Sequence, residues 1–381
     1  MTGIGILGAG NISESYLSRA PLFAGIEVRA VADLDPARAA ARAETFGVRA
    51  ETVEGLLAAP DIDIVVNLTV PTAHHAVTCA ILEAGKHAYS EKPLALTLAD
   101  ARDIAARADR AGRRVGCAPD TFLGASHQES RRLIDAGAVG RIVHGTCHVM
   151  SAGMEGWHPN PDFFFQAGGG PILDLGAYYV TQLINLIGPV TRVAAMTGTG
   201  AATRTIGSGA RAGETITVEI PTTAHALLEF ASGATVTLGA SWDVQAHGHR
   251  NVELYGTEGT IAPQDPNFFG GTTEVIRPGG AVERFDAADH PLSVANRTTN
   301  DGAPRADYRT VGLADMAEAI RGGRPHRCAL EMALHVTEVL EGILTSGEQG
   351  RFVTMATTCD RPAALDAEAA RALMRADPVP A

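Results

Sequence analysis

The chain has 381 residues, enough for two domains, and its 45% hydrophobic and 19% charged residues are typical of an ordinary globular protein. A formal net charge of -12 argues against nucleic acid as a partner, because neutralising phosphates requires clustered Lys and Arg. No apolar stretch is long enough to span a bilayer, so we expect no membrane partner.

Cysteine and histidine spacing argues against disulfides and metal sites. The five cysteines lie far apart, with an odd count and no CxxC pair. His74 and His75 are adjacent and point different ways, and His247 and His249 form a poor ligand pair, so we predict no metal.

The chain begins with an apolar strand pattern over residues 3–7 and no basic segment precedes it, which is unlike a signal peptide. We expect a cytoplasmic protein with reduced, mostly buried thiols.

The first elements predict a nucleotide-binding βαβ unit. The strand over residues 3–7 leads into the turn Gly8-Ala9-Gly10-Asn11-Ile12-Ser13, a helical pattern follows, and a second strand ends at Asp33. Gly8 permits the tight turn, and Gly10 lets the backbone approach a pyrophosphate, whose charge meets free N–H groups at the helix start. Ser13 replaces the third glycine with another small residue.

Asp33 indicates the type of cofactor. A carboxylate at the end of the second strand binds the adenosine ribose hydroxyls and would repel a 2′-phosphate. No Lys or Arg follows it immediately, so NAD is predicted over NADP. The alternative for Asp33 is a solvated turn residue. Asp35, before Pro36, is expected to cap the helix that begins near Ala37.

Strands and helices continue to alternate through residue 120. Predicted strands cover 63–68, 87–90 and 114–118, and predicted helices cover 72–84 and 99–111. This order predicts a doubly wound parallel sheet over residues 1–120, an α/β Rossmann domain whose ligands bind beyond the carboxyl ends of the strands. The polar residues Thr69, His74, Lys92 and Asp120 fall at or just beyond such ends, which predicts a single site.

Lys92 lies between Glu91 and Pro93 at this edge. An ammonium beside an alcohol oxygen favours the alkoxide character that hydride loss requires, and a lysine shifts its pKa readily when it is desolvated. The alternative is a surface lysine in a turn, and the flanking pattern favours the functional role.

Four segments together resemble the Gfo/Idh/MocA family of oxidoreductases: Gly8-Ala9-Gly10, Asp33, Thr69-Val70-Pro71-Thr72-Ala73-His74 and Gly85-Lys86-His87-Ala88-Tyr89-Ser90-Glu91-Lys92-Pro93. The segment Gly168-Gly169-Gly170-Pro171-Ile172-Leu173-Asp174-Leu175-Gly176-Ala177-Tyr178 is similar to the glycine-rich start of that family's substrate helix. The resemblance implies an NAD-dependent oxidoreductase acting on a sugar, polyol or glycoside. We place the cofactor against Gly8, Gly10, Asn11, Ile12, Asp33, Leu68, Thr69, His74, Glu91 and Lys92.

The resemblance also implies roles at three positions. Lys92 matches the catalytic lysine and Asp174 a substrate-binding acid. Tyr178 stands where many members have a histidine acid/base, although some sugar and dihydrodiol dehydrogenases of the family have tyrosine. A phenol can exchange the hydroxyl proton if the Lys92 ammonium lowers its pKa.

The residues of the second half support this site but leave alternatives. Helical spacing from Ile172 puts Asp174 and Tyr178 on one face. The alternative, which the Lys92 motif argues against, is that Asp174 stabilises the helix dipole and Tyr178 packs in the core. Asp120 could contact substrate or the nicotinamide ribose, where the family often has Asn and Arg, or cap a helix beginning near Gly124. Residues 155–165 fit a sugar-binding platform or a hydrophobic plug about equally, with Trp157 and His158 as the better substrate candidates.

Residues 121–381 are predicted to form an α+β domain that binds the substrate. Predicted strands cover 141–150, 190–197, 215–219, 224–230, 235–242 and 251–255, which indicates an open, mainly antiparallel sheet with the Asp174 helix on one face. Residues 310–346 are expected to be helical, interrupted at 322–325, with a loosely held tail from about 363. The resemblance implies a homo-oligomer formed through the other face of the sheet.

Two further functions stay open at this point. The resemblance allows a glycoside hydrolase that oxidises its substrate transiently, eliminates the aglycone and returns the hydride. A non-catalytic nucleotide-binding sensor is the third candidate.

Overall fold

The computed structural model describes residues 1–158, 160–299 and 302–376. Six parallel strands form the first sheet, in the order β3-β2-β1-β4-β5-β6 of a doubly wound fold. They are β1 (Thr2–Leu7), β2 (Ile26–Ala32), β3 (Arg49–Glu51), β4 (Ile64–Asn67), β5 (His87–Ser90) and β6 (Val115–Cys117). The predicted Rossmann sheet is confirmed.

Helices cover both faces of this sheet, which explains why β1 and β4 are apolar on both sides and fully buried. The helices are α1 (Asn11–Arg19), α2 (Pro36–Phe46), α3 (Val53–Ala58), α4 (His74–Glu83) and α5 (Leu98–Ala111). Asp35 caps α2 as predicted, because its carboxylate accepts a 3.0 Å hydrogen bond from the Ala37 N–H.

The second sheet has nine strands in the order β16-β15-β14-β13-β7-β12-β11-β8-β19. Neighbours are antiparallel except β7 and β12, which confirms a mainly antiparallel sheet. The strands of this half are β7 (Ile142–Met150), β8 (Val190–Gly198), β9 (Thr203–Thr205), β10 (Thr215–Thr217), β11 (Thr223–Phe230), β12 (Thr235–Ser241), β13 (Val252–Gly256), β14 (Thr260–Ala262), β15 (Thr273–Ile276), β16 (Val282–Phe285), β17 (Arg297–Thr298), β18 (Pro304–Arg305) and β19 (Val353–Thr354). β9 pairs with β10, and β17 with β18.

One face of the second sheet packs against helices, as predicted. The helices of this half are α6 (Ala125–Asp135), α7 (Ala177–Ile187), α8 (Val311–Gly322), α9 (Leu330–Gln349) and α10 (Ala367–Leu373), of which α6, α7 and α9 contact the sheet. Every residue of α7 is buried, so this helix lies at the centre of the second domain. The opposite face stays open: Leu227 on β11 and Met196 on β8 are exposed, whereas Ala226 and Leu228 beside Leu227 are buried.

The segment between α8 and α9 forms backbone contacts with strand β6 of the first domain. Gly116 pairs with Ala329, and the Cys117 N–H donates to the Cys328 carbonyl at 3.1 Å. The predicted interruption between α8 and α9 is present.

The prediction of a loosely held tail does not fit residues 363–376. Leu365 and Ala370 are fully buried, Asp366 caps α10, and Met374 pairs with Phe23 of the Rossmann domain. The small alanine side chains let α10 lie close against its neighbours. Residues 377–381 lie outside the described residues.

All five cysteines are free and buried, in agreement with the expected buried thiols. Among the described residues, no helix combines the length and the apolar character needed to cross a membrane.

Candidate active site

A cleft of about 630 Å³ runs along the carboxyl ends of the first sheet and reaches α7 in the second domain. All ten residues predicted to contact the cofactor line it: Gly8, Gly10, Asn11, Ile12, Asp33, Leu68, Thr69, His74, Glu91 and Lys92. His158, Asp174 and Tyr178 also line it. The structure therefore brings these predicted site residues of both domains together in one cleft.

The glycine turn after β1 leaves space for a phosphate. Gly8 has a φ of 103°, and a Cβ there would lie 2.6 Å from the Leu68 carbonyl oxygen, so only glycine fits. A Cβ at Gly10 would meet no atom within 4 Å, so this side of the turn is open. Ser13 is fully buried and its hydroxyl donates to the Gly10 carbonyl at 2.6 Å, which fits the predicted close packing.

Asp33 is held at the end of β2 by two backbone groups. Its carboxylate accepts hydrogen bonds from the Ala9 N–H at 2.7 Å and the Asp35 N–H at 2.9 Å. Arg38, on the first turn of α2, also lines the cleft. Sequence reasoning considered only the residues immediately after Asp33 and missed this cation.

Lys92 bridges the two domains. Its Nζ donates to Asp174 Oδ1 at 2.7 Å and to the Asp174 carbonyl at 2.8 Å. Burial acts to lower the pKa of Lys92, but the electrostatic interactions with Asp174 and Glu91 and the hydrogen bond to Asp174 act to raise it, and the pKa lies above its ordinary value. Lys92 is therefore a charged hydrogen-bond donor at neutral pH, not a base.

Glu91 fixes the loop that carries this lysine. One carboxylate oxygen accepts from the Tyr16 hydroxyl at 2.9 Å and the other from the Lys92 N–H at 3.1 Å. Glu91 lines the cleft, and its two hydrogen bonds support a role in positioning Lys92. The predicted contact of Glu91 with the cofactor stays a prediction.

Tyr178 presents its phenol to the same space. The Lys92 Nζ lies 5.0 Å from the centroid of its ring, and no described residue hydrogen-bonds its hydroxyl. Burial raises the pKa of Tyr178, and the opposing effects of Lys92 and Arg309 do not offset it. Lys92 acts to lower this pKa, as expected from the sequence, but burial outweighs it, so the phenol is protonated at neutral pH.

Asp174 lies in a π-helical turn, Ile172–Gly176, that precedes α7. The sequence pattern predicted an ordinary helix here, and such wide turns are frequent at functional sites. The middle residue of the triple glycine, Gly169, lies against the backbone of residues 163 and 164: a Cβ there would lie 2.4 Å from the Phe164 carbonyl oxygen. This close approach sets where the turn begins and so where Asp174 meets Lys92.

His74 connects two loops of the cleft. Its Nδ1 lies 2.7 Å from the Pro93 carbonyl oxygen and its Nε2 lies 3.0 Å from that of Thr69, and burial lowers its pKa. Asn67 was missed by sequence reasoning. Its amide donates to the His74 carbonyl, and its oxygen accepts from Thr69. A polar residue at the end of a buried strand was the available signal.

The aromatic segment is partly buried against the second domain and partly lines the two cavities. Phe165 is fully buried and its ring centroid lies 5.5 Å from that of Trp242, so it acts as a plug. His158 lines the cleft, whereas Trp157 is 64% exposed and lines a second cavity.

Asp120 does not line the cleft or the second cavity, and the predicted substrate contact does not fit its position. It is 1% exposed, and its Oδ2 accepts from the backbone N–H groups of Thr310 at 2.9 Å and Gly312 at 3.1 Å. It therefore caps α8 and not the helix near Gly124. Burial raises its pKa to about 6. Thr310 has a φ of 90°, which is unusual for a β-branched residue.

The second cavity, of about 370 Å³, meets the cleft at four shared residues, which are Lys92, Phe164, Asp174 and Tyr178. Its other wall includes Arg297, Arg305 and Arg309. Sequence reasoning missed these arginines, because they lie more than one hundred residues beyond Tyr178 in a segment without a recognisable motif.

One possible metal-ligand group occurs among the described residues, formed by His75, Cys79 and Asp103, whose ligand atoms lie within 4.8 Å of one another. It lies on α4 and α5 and does not line the cleft. The Asp103 carboxylate already accepts from Arg107 Nε at 2.8 Å and lies 2.9 Å from His75 Nε2. The absence of a metal stays a prediction.

Two family descriptions match the chain. Residues 2–118 match "Oxidoreductase family, NAD-binding Rossmann fold", and residues 127–262 match "GFO/IDH/MocA C-terminal domain". A 1,5-anhydro-D-fructose reductase of Ensifer adhaerens is 34% identical over 176 residues, which cover 45% of this chain and 52%, or about half, of that relative.

Two longer matches cover almost the whole chain. The "Uncharacterized oxidoreductase ORF334" of Rhizobium meliloti is 28% identical over 370 residues, which are 92% of this chain and 98% of that protein. A levoglucosan dehydrogenase in complex with NADH and L-sorbose is 22% identical, with a TM-score of 0.78 over 93% of this chain and 99% of that chain; this similarity shows the fold. The chain belongs to the Gfo/Idh/MocA family of oxidoreductases, and its first domain is the NAD-binding Rossmann domain of that family.

Proposed function

We propose that this protein transfers a hydride between the hydroxyl carbon of a sugar or polyol and the nicotinamide of NAD. The proposal depends on one observation, which is that the Lys92 ammonium lies close to the Tyr178 ring. The ammonium comes from the first domain and the phenol from the second, and both line the junction of the cleft and the second cavity. A carbohydrate oxygen at this junction is within reach of a charged donor and a neutral acid.

The residues of the cleft fit a dinucleotide. The open side of Gly10 and the start of α1 are suited to a pyrophosphate, and Asp33 is suited to ribose hydroxyls. When bound there, NAD(H) supplies the hydride acceptor or donor at its nicotinamide. The proposed contacts of the ten cofactor residues are supported by their shared cleft.

The protonation states define the proton chemistry in each direction. During carbonyl reduction, Lys92 donates a hydrogen bond to the substrate oxygen and Tyr178 gives it a proton. During alcohol oxidation, Tyr178 must first lose its proton, which its raised pKa makes unfavourable at neutral pH. Asp174 holds the Lys92 ammonium and offers its remaining carboxylate oxygen to a neighbouring substrate hydroxyl.

Three finer points belong to the same proposal. NAD is preferred over NADP because Asp33 would repel a 2′-phosphate. Arg38 lines the same cleft, and its positive charge would reduce this preference. His158, which lines the cleft, and Trp157, which lines the second cavity, contact the substrate from these two sides. The open sheet face around Leu227 supports a homo-oligomer.

The test is a screen of sugars, polyols and glycosides at alkaline pH that follows NADH absorbance and reducing-sugar release in parallel. Net NADH formation that is lost in Lys92→Ala, with NAD binding retained, supports the proposal. Release of a free sugar without net NADH would indicate the redox-assisted hydrolase instead. No change with any compound class, despite NAD binding, would indicate the sensor.

A further inference from the structure

The second cavity has an excess of positive charge. Four cations line it, Lys92, Arg297, Arg305 and Arg309, against two carboxylates, Asp174 and Asp307. Both carboxylates are already paired. Asp174 binds Lys92, and Asp307 lies 3.4 Å from the Arg297 guanidinium and 3.7 Å from that of Arg19. Two arginines are therefore left without an acidic partner.

No described residue accepts a hydrogen bond or forms an ion pair with the guanidinium of Arg305. Instead, its Cζ lies 4.0 Å from the centroid of the Phe268 ring, which also lines the cavity. This stacking fixes the plane of the guanidinium and leaves its N–H edges available. Arg297 lies directly opposite Arg305 in the β17–β18 pair. Like charges in directly opposed positions of a strand pair are destabilising. Asp307 offsets the charge of Arg297 but forms no ion pair with Arg305 among the described residues.

Arg309 is placed by the backbone that follows the hairpin. Thr310, with its positive φ, is held by the Asp120 carboxylate, and this turn sets the position of Arg309 against the cavity. Among the described residues, its guanidinium has no hydrogen-bond acceptor and no ion-pair partner. The nearby acids Glu91 and Asp120 use their carboxylates for other contacts.

The electrostatics agree with this geometry. Burial acts to lower the pKa of Arg309, but Tyr178, Glu91 and Asp120 outweigh it and raise the pKa. Arg309 therefore stays charged. A partly buried cation without an acidic partner is unfavourable, and an anionic ligand would offset that cost.

We propose that Arg305 and Arg309 form a subsite for an anionic group, so that the substrate is a carbohydrate bearing a carboxylate or a phosphate. This inference rests on the proposed function, and it narrows the substrate class from sugars and polyols in general to sugar acids or sugar phosphates. The charged group would occupy the second cavity while the reacting hydroxyl lies at Lys92 and Tyr178. Planar guanidinium groups bind both anions in a bidentate manner.

The experiment compares matched substrates with the NAD-bound protein. Glucose, glucuronate, gluconate and glucose 6-phosphate, with the equivalent galactose series, are assayed for kcat/KM in wild type, Arg305→Met and Arg305→Lys. Arg284→Met is the control, because Arg284 is an exposed arginine on β16 that pairs with Glu274 outside the cavity. In parallel, calorimetry measures binding of malonate and inorganic phosphate to the NADH complex, and NADH binding confirms folding.

We expect the preferred anionic substrate to exceed its neutral parent about 10²-fold in kcat/KM, because a pair of charge-assisted contacts is lost in the parent. Arg305→Met should reduce that ratio at least tenfold, Arg305→Lys should reduce it less, and Arg284→Met should not change it. The carboxylate and phosphate series identify which anion is recognised.

The outcomes separate the two proposals. Turnover of neutral sugars equal to that of their anionic counterparts, with no anion binding, would overturn the subsite and leave the proposed function in place. Anion binding that is lost in Arg305→Met, without turnover of any compound, would contradict the proposed function and support the subsite. Equal loss of both substrate classes in Arg305→Met would also overturn the subsite.

Discussion

Replacing Lys92 by Met removes the ammonium that joins the two domains while preserving most of the volume of the side chain. The Nζ makes two short contacts to Asp174, at 2.7 and 2.8 Å, with 14% of the Lys92 side chain exposed. Loss of one charged donor at a developing oxyanion typically costs 10²–10³-fold in rate, so we expect kcat to fall by about this factor. The Asp174 side chain is 21% exposed and can be rehydrated, so the free energy of unfolding should fall by only ~1–2 kcal/mol.

The chain offers a matched control for this substitution, because it contains only two lysines, Lys86 and Lys92. Lys86 Nζ donates to the carbonyl oxygens of Ala59 and Ile62 at 2.6 and 2.7 Å and does not line the cleft. Lys86→Met should therefore lower stability without changing kcat. Steady-state assays, NADH fluorescence titration and urea unfolding measure the three quantities. A Lys92→Met enzyme with normal kcat, or one whose NADH affinity falls as much as its rate, would refute the assigned role.

Three other predictions concern separate parts of the molecule. Because burial keeps the Tyr178 phenol protonated, log kcat/KM for oxidation should rise by about one unit per pH unit from pH 7 to 9, whereas log kcat/KM for reduction should stay nearly constant. Equal pH profiles in the two directions would contradict the role of Tyr178 as the proton carrier. Asp33→Ser should raise kcat/KM for NADP relative to NAD about tenfold or more, by removing repulsion of the 2′-phosphate; an unchanged cofactor ratio would rule out the ribose contact. Leu365→Ala should reduce the free energy of unfolding, measured by urea titration, by ~2–5 kcal/mol, because Leu365 is fully buried. A reduction below about 0.5 kcal/mol would mean that residues 363–376 are not packed in solution.

The Rossmann half could be predicted closely because its signals are local. Apolar strands of a parallel sheet, glycine turns and cap residues are each encoded within a few neighbouring positions. The predicted and observed bounds of β5 are the same, and those of β2 differ by one residue. The short elements β3 and α3 were missed, since β3 is an edge strand of three partly exposed residues without alternation.

The second half was less predictable because its structure depends on long-range contacts. The tail was judged from composition alone, and nothing near Leu365 indicates that it packs against residues far earlier in the chain. Asp120 was assigned to the site because it follows a strand, yet its partner N–H groups lie 190 and 192 residues away. The pKa of Tyr178 depends on burial, which residue types and spacing do not determine. Arg305 and Arg309 were missed because they lie far along the chain from Tyr178 in a segment without a recognisable motif.

The central claim is that Lys92 and Tyr178 act on the same substrate oxygen beside the nicotinamide. A crystal structure of the protein with NADH and a substrate or product tests this most directly. We predict that the Lys92 Nζ and the Tyr178 hydroxyl both lie within hydrogen-bond distance of one substrate oxygen, whose carbon faces C4 of the nicotinamide. A nicotinamide directed away from these two groups, or a substrate oxygen that neither of them reaches, would contradict the account.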